Sequence, residues 1–451
     1  MLVDDFIPQP APGQREWFYS SLDADRGTIN TPAGGNVEFH PGFIRATLLD
    51  GFVGTYSALQ HTQREGLPLN LSRILPSAIL PEFQARVVGV RVRTSNGRGT
   101  LQVELGSWRA RAALTGGTQT IEFAVPALGD VQSLTWVLLG SRGDSIDVTR
   151  LELLVEVPRL PVAQRAFLYS YSQLLANFDP DTGLVRDRAS FPAGAFDAIP
   201  VGGLLAAASV QAGQLGVISR TAAEAIVQRI TLGLLSLPRA GGLLPHFVTR
   251  GTITPGTEYS SVDTSLGVLS ALSARQALGL EVEDTRRLEQ LLRDVAWNAL
   301  TLPDGSISHG FDERNGLLPY GWRVFGGETF LVNLALASAT GRIAPMDAPP
   351  TYNGSAFITS LPWAFVPRPR IDVYRNAWDE VEAETALAQI GYYRTTSSTC
   401  EGIVINRLRG SLNLALQTLG WGRYLTRDDE RLQRAALENP FLAQGYRLLT
   451  R

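Results

Sequence analysis

The chain has 451 residues, 44% of them hydrophobic and 18% charged, with a formal net charge of −3. That length exceeds one ordinary core, so two domains are expected, and the composition is globular rather than disordered. All 40 basic residues are arginine and are interspersed with 43 acidic ones, which leaves no basic stripe and excludes nucleic acid as the expected partner.

The opening MLVDDFIPQP lacks a basic n-region and an apolar h-region. As written the chain is therefore expected to be cytoplasmic, or periplasmic or secreted if a leader has been removed. Residues 1–158 read as a β-domain. "NVEFHPGFIRATLL", "RVVGVRVRTS", "TLQVELGSWRARAAL", "TQTIEFAVP", "LTWVLLGS" and "IDVTRLELLVEVP" alternate with period two between turn clusters such as "SNGRG" and "LTGGT". Many short strands without intervening helical patterns predict an all-β sandwich, jelly-roll-like. "NLSRILPSAILPEF" interrupts the pattern with one expected short helix. Trp17, Tyr19 and Trp108 are either exposed binding aromatics or core. The prolines of "VEVPRLP" mark the boundary.

From residue 162 the period becomes helical. Helices are predicted at "VAQRAFLYSYSQLLANF", "IPVGGLLAAASVQAGQ" and "RTAAEAIVQRITLGLLSL", the last opened by a capping box of Thr221 with Glu224. "SVDTSLGVLSALSARQALG" follows, with Val262, Leu266, Leu269 and Leu272 on one face, then "EDTRRLEQLLRDVAWNAL" and "GGETFLVNLALASAT". Further helices are expected around "SAFITSLPWAF", "DVYRNAWDEVEAETALAQIGYY", "INRLRGSLNLALQTL" and "DDERLQRAALENPFLAQGYRLL". The six N-terminal helices of this domain are joined by alternately long and short connections. Antiparallel helices so joined put the three long loops at one end, and long loops without structure of their own are usually functional. The expectation is a helical barrel with a cleft at one mouth.

These loops and the helix starts behind them carry the candidate chemistry. Asp263 opens the fourth helix and Glu328 the sixth. Either acid alone is read as readily as a complement to the helix dipole. Several acids converging on one mouth instead suit glycoside hydrolysis, which needs a carboxylic acid and a carboxylate at one bond. A helix N-terminus lowers a carboxyl pKa, so an acid at Glu328 needs burial or a neighbouring carboxylate to raise it. Tyr259, Phe311, Tyr320, Trp322 and Phe325 supply faces on which sugar rings stack, or plugs for the core. His246 and His309 lack metal spacing and are read as hydrogen-bonding side chains. The glycine pairs form neither a phosphate loop nor a dinucleotide fingerprint, so no cofactor and no metal is expected. The single cysteine, Cys400, excludes an intrachain disulfide. No run of about 18 apolar residues occurs, so no membrane span is expected.

The string "FDPDTGLVRDRA" at 178–189, followed by "AIPVGGLLAAASVQAGQLGVISRTAAEAIVQRI", resembles the opening hairpins of the bacterial endo-β-1,2-glucanase family and of glucoamylase-like proteins related to it. "SSVDTSLGVLSAL" at 260–272 and "GWRVFGGETFLVNLALASAT" at 321–340 are similar to that group's later motifs, in the same order. The resemblance covers roughly 165–345. It implies an (α/α)6 toroid over 162–451, hydrolysis of β-1,2-glucan or a related oligo- or polysaccharide, and inversion. It implies Glu328 as general acid, Asp263 as the acidic partner acting on water, and Arg186, Asp187 and Glu258 in sugar subsites. Tyr259, His309, Tyr320 and Trp322 complete the expected substrate-binding set. The N-terminal sandwich resembles carbohydrate-binding modules by analogy of fold. Two other functions stay open on the residues alone: a non-catalytic glycan-binding or polysaccharide-assembly protein, and a polysaccharide lyase or epimerase with a Tyr or His base.

Overall fold

A computed structural model describes residues 2–4, 17–23, 27–29, 35–40, 42–49, 52–57, 86–105, 107–128, 134–156, 159–187, 196–249, 251–312, 316–347, 361–396 and 430–450, with isolated positions at 79, 83, 359, 415, 418, 419, 422 and 425. The chain divides into two compact units, residues 1–160 with 189–195 and residues 161–188 with 196–451.

The sheet unit contains, among the described residues, β1 (Leu2–Asp4), β2 (Trp17–Asp23), β3 (Gly27–Ile29), β4 (Gly35–His40), β5 (Phe43–Leu48) and β6 (Phe52–Ser57). These are followed by β7 (Arg86–Leu105), β8 (Trp108–Thr115), β9 (Gln119–Leu128), β10 (Leu134–Leu139) and β11 (Ser145–Glu156). The twenty-residue β7 organises them. Its inward residues are first Val90, Val92 and Thr94, then Leu101, Val103 and Leu105, all essentially inaccessible. Because side chains alternate along a strand, the change from even to odd positions means that β7 switches its inner face midway. Before the switch it pairs with β9 and β11, after it with β8 and β10, always antiparallel. Gly99 sits at the change with φ +108°, and a Cβ there would lie 2.8 Å from the Leu139 carbonyl oxygen. Only glycine combines that dihedral with so close a neighbour. Both halves of β7 feed one apolar core with Ile44, Trp136, Leu138, Leu151 and Leu153. Trp108 packs against this core, so it is core-facing rather than a free binding aromatic. The expected helix around "NLSRILPSAILPEF" and the side chains of Trp17 and Tyr19 lie outside the described residues.

The second unit contains α1 (Val162–Ala176), α2 (Ile199–Gln214), α3 (Arg220–Ser236), α4 (Ser261–Leu278), α5 (Val282–Arg293), α6 (Gly327–Thr340), α7 (Trp378–Thr396), α8 (Glu430–Glu438) and α9 (Pro440–Leu449) among the described residues. Of the segment "SAFITSLPWAF", residues 355–358 and 360 lie outside the described residues, Thr359 is helical and Leu361–Ala364 forms a 3-10 turn. The segment "INRLRGSLNLALQTL" lies outside the described residues apart from isolated positions. The start of α3 also differs from the expected capping box. Ser219, in extended conformation, is the cap, and its Oγ accepts a 3.0 Å hydrogen bond from the Ala222 amide. Helix α5 ends at Arg293, before Trp297, which is buried and donates its indole N–H to the Leu292 carbonyl at 3.0 Å.

Helix α4 is the largest departure from the expected pattern. One apolar face is predicted, yet Ser261, Asp263 to Arg275 and Leu278 are all buried. The sequence permits this because serine, alanine and glycine alternate with its leucines, and small residues let neighbouring helices approach on several sides. The tightest approach is to α2, where a Cβ on Gly203 would lie 2.3 Å from the Gly267 carbonyl oxygen. At its other end the fully buried Arg275 ties three helices together. It donates to Thr285 Oγ1 on α5 at 3.0 Å, to Gln228 Oε1 on α3 at 2.6 Å and to the Glu281 carbonyl at 2.6 Å. A methyl group at Gly203 has nowhere to go but into backbone. We expect Gly203→Ala to lower stability by about 1–3 kcal/mol, the usual cost of overpacking a filled core. Thermal unfolding followed by far-ultraviolet circular dichroism measures it, and an unchanged midpoint would mean that α2 and α4 have slack at this crossing.

Candidate active site

The chain enters α2, α4 and α6 through three long loops, residues 177–198, 237–260 and 294–326. They are stitched into one mesh by short antiparallel pairings. Asp197–Ala198 of the first loop pairs with Phe247–Thr249 of the second. Tyr259–Ser260 of the second pairs on one side with Leu244–Pro245 and on the other with Gly310–Asp312 of the third. Within the third loop Ile307–Ser308 pairs with Gly321–Trp322. The buried hydroxyl of Ser261, the first residue of α4, locks this mesh to the helix. It donates towards the carbonyls of Ser308 and His309 at 2.8 and 3.0 Å and accepts from the Trp322 indole N–H at 2.8 Å.

Acidic groups meet behind this mesh. Asp263, 6% exposed, occupies the first turn of α4, and its amide donates to Ser260 Oγ at 3.2 Å. Its Oδ2 is in ion-pair contact with His246 Nδ1 from the second loop. The same imidazole nitrogen lies 3.8 Å from Glu258 Oε1. Burial works against a charge on His246, but hydrogen bonding and charge from Asp263, with the charges of Glu258 and Asp187, outweigh it and raise its pKa. Glu258 is raised chiefly by burial, with Asp263 and Asp312 adding to the effect and His246 opposing it.

Glu328 lies in the first turn of α6, behind Gly326, which offers no side-chain cap. Burial, and then the negative charge of Asp263, push its carboxyl up to about 7. The helix N-terminus favours the ionised form, and here desolvation and a like charge prevail over it. Glu328 is thus a carboxyl raised by burial and by the charge of a neighbouring carboxylate, the kind of shift found at functional sites.

Beside the acids, His309 stacks on Trp322 with ring centroids 3.9 Å apart and planes 13° from parallel, and Tyr320 stands 6.3 Å away. Burial lowers the His309 pKa, so the stacked ring is neutral. Tyr320 is 67% exposed, an amphipathic ring available at the surface of the third loop.

The structure brings together Asp187, Glu258, Asp263 and Glu328 of the expected set through their charges on one another or on His246. His309, Tyr320 and Trp322 cluster as expected. Two residues expected at the sugar are placed differently. Tyr259 is buried at 4% exposure and stacked on Phe311 at 5.2 Å, so its ring supports the pairing of the second and third loops. Arg186 is also buried, with its backbone bridged to Asp197. Reading the sequence left His246 outside the site and passed over Asp312. The signal available for His246 was its place two residues beyond the Leu243–Leu244 pair in an acid-facing loop; for Asp312 there was none beyond its charge. Among the described residues no group of three or more metal-ligating side chains is assembled, and no helix is long and apolar enough to cross a membrane.

No family model matches the chain, and no curated protein matches it by sequence. Solved structures do match in fold. A candidate glucoamylase from Bacteroides caccae superposes with a TM-score of 0.50 at 14% identity, covering 64% of this chain and 97% of that one. The endo-β-1,2-glucanase from Chitinophaga pinensis, solved with sophorotriose and glucose, gives 0.50 at 12% identity over 64% of this chain and 99% of that one. At such identities the likeness is one of fold.

The Glu328 environment has a consequence for stability. A carboxyl whose pKa is higher folded than unfolded favours the folded state below its unfolded pKa, and that contribution disappears as pH rises through the folded value. Between pH 4.5 and about 7 the protein should therefore lose about 3 kcal/mol at most through this group. Glu328→Gln should abolish that slope and make the variant the more stable protein above pH 7. Chemical unfolding across this range is the measurement, and identical pH dependence in both proteins would mean that Glu328 titrates like an ordinary glutamate.

Proposed function

We propose that the protein is a glycoside hydrolase acting on a β-glucan, β-1,2-glucan or a related polysaccharide. In this reading the helical unit is an (α/α)6 toroid and the sheet unit a jelly-roll-like sandwich that helps to hold the glycan. Glu328 is the general acid, and Asp263 is the carboxylate that acts on water, with inversion. The observation that carries the reading is a carboxyl raised by burial and by the charge of a second carboxyl beside it. Glu328, raised to about 7, holds a proton near neutral pH, beside Asp263, whose negative charge helps to raise it.

In the reaction the glycosidic oxygen takes the Glu328 proton as the bond to the anomeric carbon breaks. Water, deprotonated by Asp263, adds to that carbon from the opposite face. The positive charge developing on the ring is stabilised by the surrounding carboxylates. The neutral His309–Trp322 stack, with Tyr320 beside it, offers apolar faces for a glucose ring. Asp187 and Glu258 supply acceptors for sugar hydroxyls.

The charges also weigh between this reading and its alternatives. Among the described residues, the charges acting on Glu328, Glu258 and His246 come from Asp187, Glu258, Asp263, Asp312 and His246. A lyase or epimerase acting on uronate must bind an anion and offset its charge at the reacting carbon. An acidic cleft favours an uncharged glycan instead.

Release of reducing sugar from a panel of glucans, β-1,2-glucan included, is the decisive assay. We expect wild-type turnover with kcat/KM falling as pH rises through about 7, because Glu328 must be protonated. Glu328→Gln and Asp263→Asn should each lower kcat by roughly 10²–10⁴-fold, the usual worth of a positioned proton donor or acceptor, while calorimetry still detects glycan binding. Normal turnover by Glu328→Gln would remove Glu328 from the acid role. Binding without turnover by the wild type would favour the non-catalytic glycan-binding reading.

A further inference from the structure

We propose that His246 is a positioning residue of this site: it clamps one oxygen of Asp263 and leaves the other to act on water. The proposal rests on the hydrolase reading and adds to it a residue that acts through Asp263.

The argument begins with two buried atoms. His246 Nδ1 and Asp263 Oδ2 are both sealed from solvent, and among the described residues neither has a hydrogen bond to a third group. Buried polar atoms without partners are costly, so their contact with each other is the one that offsets their burial. Their contact is an ion pair. With Oδ2 turned to the imidazole, Oδ1 is the oxygen left for chemistry.

The backbone holds the imidazole in this place. The His246 amide donates to the Glu258 carbonyl at 2.7 Å, and the Phe247 amide donates to Thr257 Oγ1 at 3.0 Å. The His246 ring stands edge-on to Phe247 at 3.8 Å, and Phe247 in turn packs on Phe196 of the first loop at 4.2 Å. His246 thus stands where the first two loops meet the start of α4, unable to swing away without breaking the mesh.

The charges that face it explain why a histidine is needed. Asp263 from α4, Glu258 from the second loop and Asp187 from the first all act on the ring, while Asp312 from the third acts on Glu258 and Glu328 from α6 is acted on by Asp263. Without a cation at this point Asp263 and Glu258 would repel each other, and each would bind a proton more readily. A base that is protonated cannot accept the proton of water. A positively charged ring against Asp263 Oδ2 offsets the negative charges that converge there from Asp263, Glu258 and Asp187. The Glu258 oxygen at 3.8 Å shares the same nitrogen without displacing Asp263.

Three variants test the proposal on the full chain. His246→Asn keeps a donor near the Nδ1 position but removes the charge, His246→Ala removes both, and Asp263→Asn removes the partner. In pH-rate profiles on the best glucan, His246→Asn should lower kcat roughly tenfold or more with KM near the wild-type value, because an interaction expressed in the transition state is lost rather than ground-state binding. The acid limb of kcat/KM should move to higher pH, since Asp263 then loses its proton later. His246→Ala should do the same to a greater degree. A folded His246→Asn protein with wild-type kcat and an unmoved acid limb would overturn the proposal. A second readout needs no activity: the four histidines can be titrated by NMR, with the His246 signal assigned through His246→Asn. Asp263→Asn should shift the His246 titration downward, because burial then prevails. An unmoved His246 titration would overturn the clamp even in an inactive protein, whereas a wild type silent on every glucan but showing the shift would count against the hydrolase reading alone.

Discussion

The contact between α2 and α4 is the constraint on which the helical unit depends. Gly203 approaches the Gly267 carbonyl so closely that no side chain fits between them. That approach buries α4 on all sides and leaves it no freedom to rotate or slide. Everything at the cleft is referred to α4: Asp263 is in its first turn, and the Ser261 hydroxyl fastens the third loop to its end. Arg275 fastens the opposite end to α3 and α5 by hydrogen bonds to Gln228, Thr285 and the Glu281 carbonyl. A guanidinium buried with its donors paired in this way adds rigidity, because leaving any donor unmet would be costly.

From that fixed helix the site is assembled by backbone pairing. Strands of two or three residues cannot stand alone, and here each is held by a neighbour from another loop or from its own. The result is that a histidine of the second loop, an acid of the first and acids at two helix starts share one electrostatic environment. The chemistry follows from competition between forces. A helix start favours an ionised Glu328, whereas burial and the Asp263 charge disfavour it by more. At His246 the order is reversed: burial disfavours the imidazolium, and three carboxylates favour it by more. One set of loops therefore holds a carboxyl raised by burial beside a histidine raised by carboxylates.

Much of the helical unit was legible in the sequence. Helix α2 has the limits that its small-residue pattern predicts, and α4 and α6 start where the acids mark them. The alternation of long and short connections told which loops would meet, because antiparallel helices return alternate connections to the same end. What escaped were features set by partners distant in sequence. The cap of α3 fell to Ser219 rather than Thr221, because the helix starts at Arg220 and so already includes Thr221. Tyr259 turned inward because the pairing of its strand with Gly310–Asp312 lays its ring on Phe311. A period-two reading placed "RVVGVRVRTS" and "TLQVELGSWRARAAL" in separate strands, and only the structure joined the first to the start of the second through Gly99 as β7.

The sequence by itself determined the division into a sheet-forming half and a helix-forming half, because period is a local property of the chain. It also determined which loops carry the acids and which two acids open helices. Tertiary structure alone raised the Glu328 carboxyl, since a pKa depends on burial and on charges that chain distance does not reveal. It decided as well that His246 belongs with Asp263, seventeen positions on. A histidine in a loop has many available neighbours, and only the closed mesh of loops selects one.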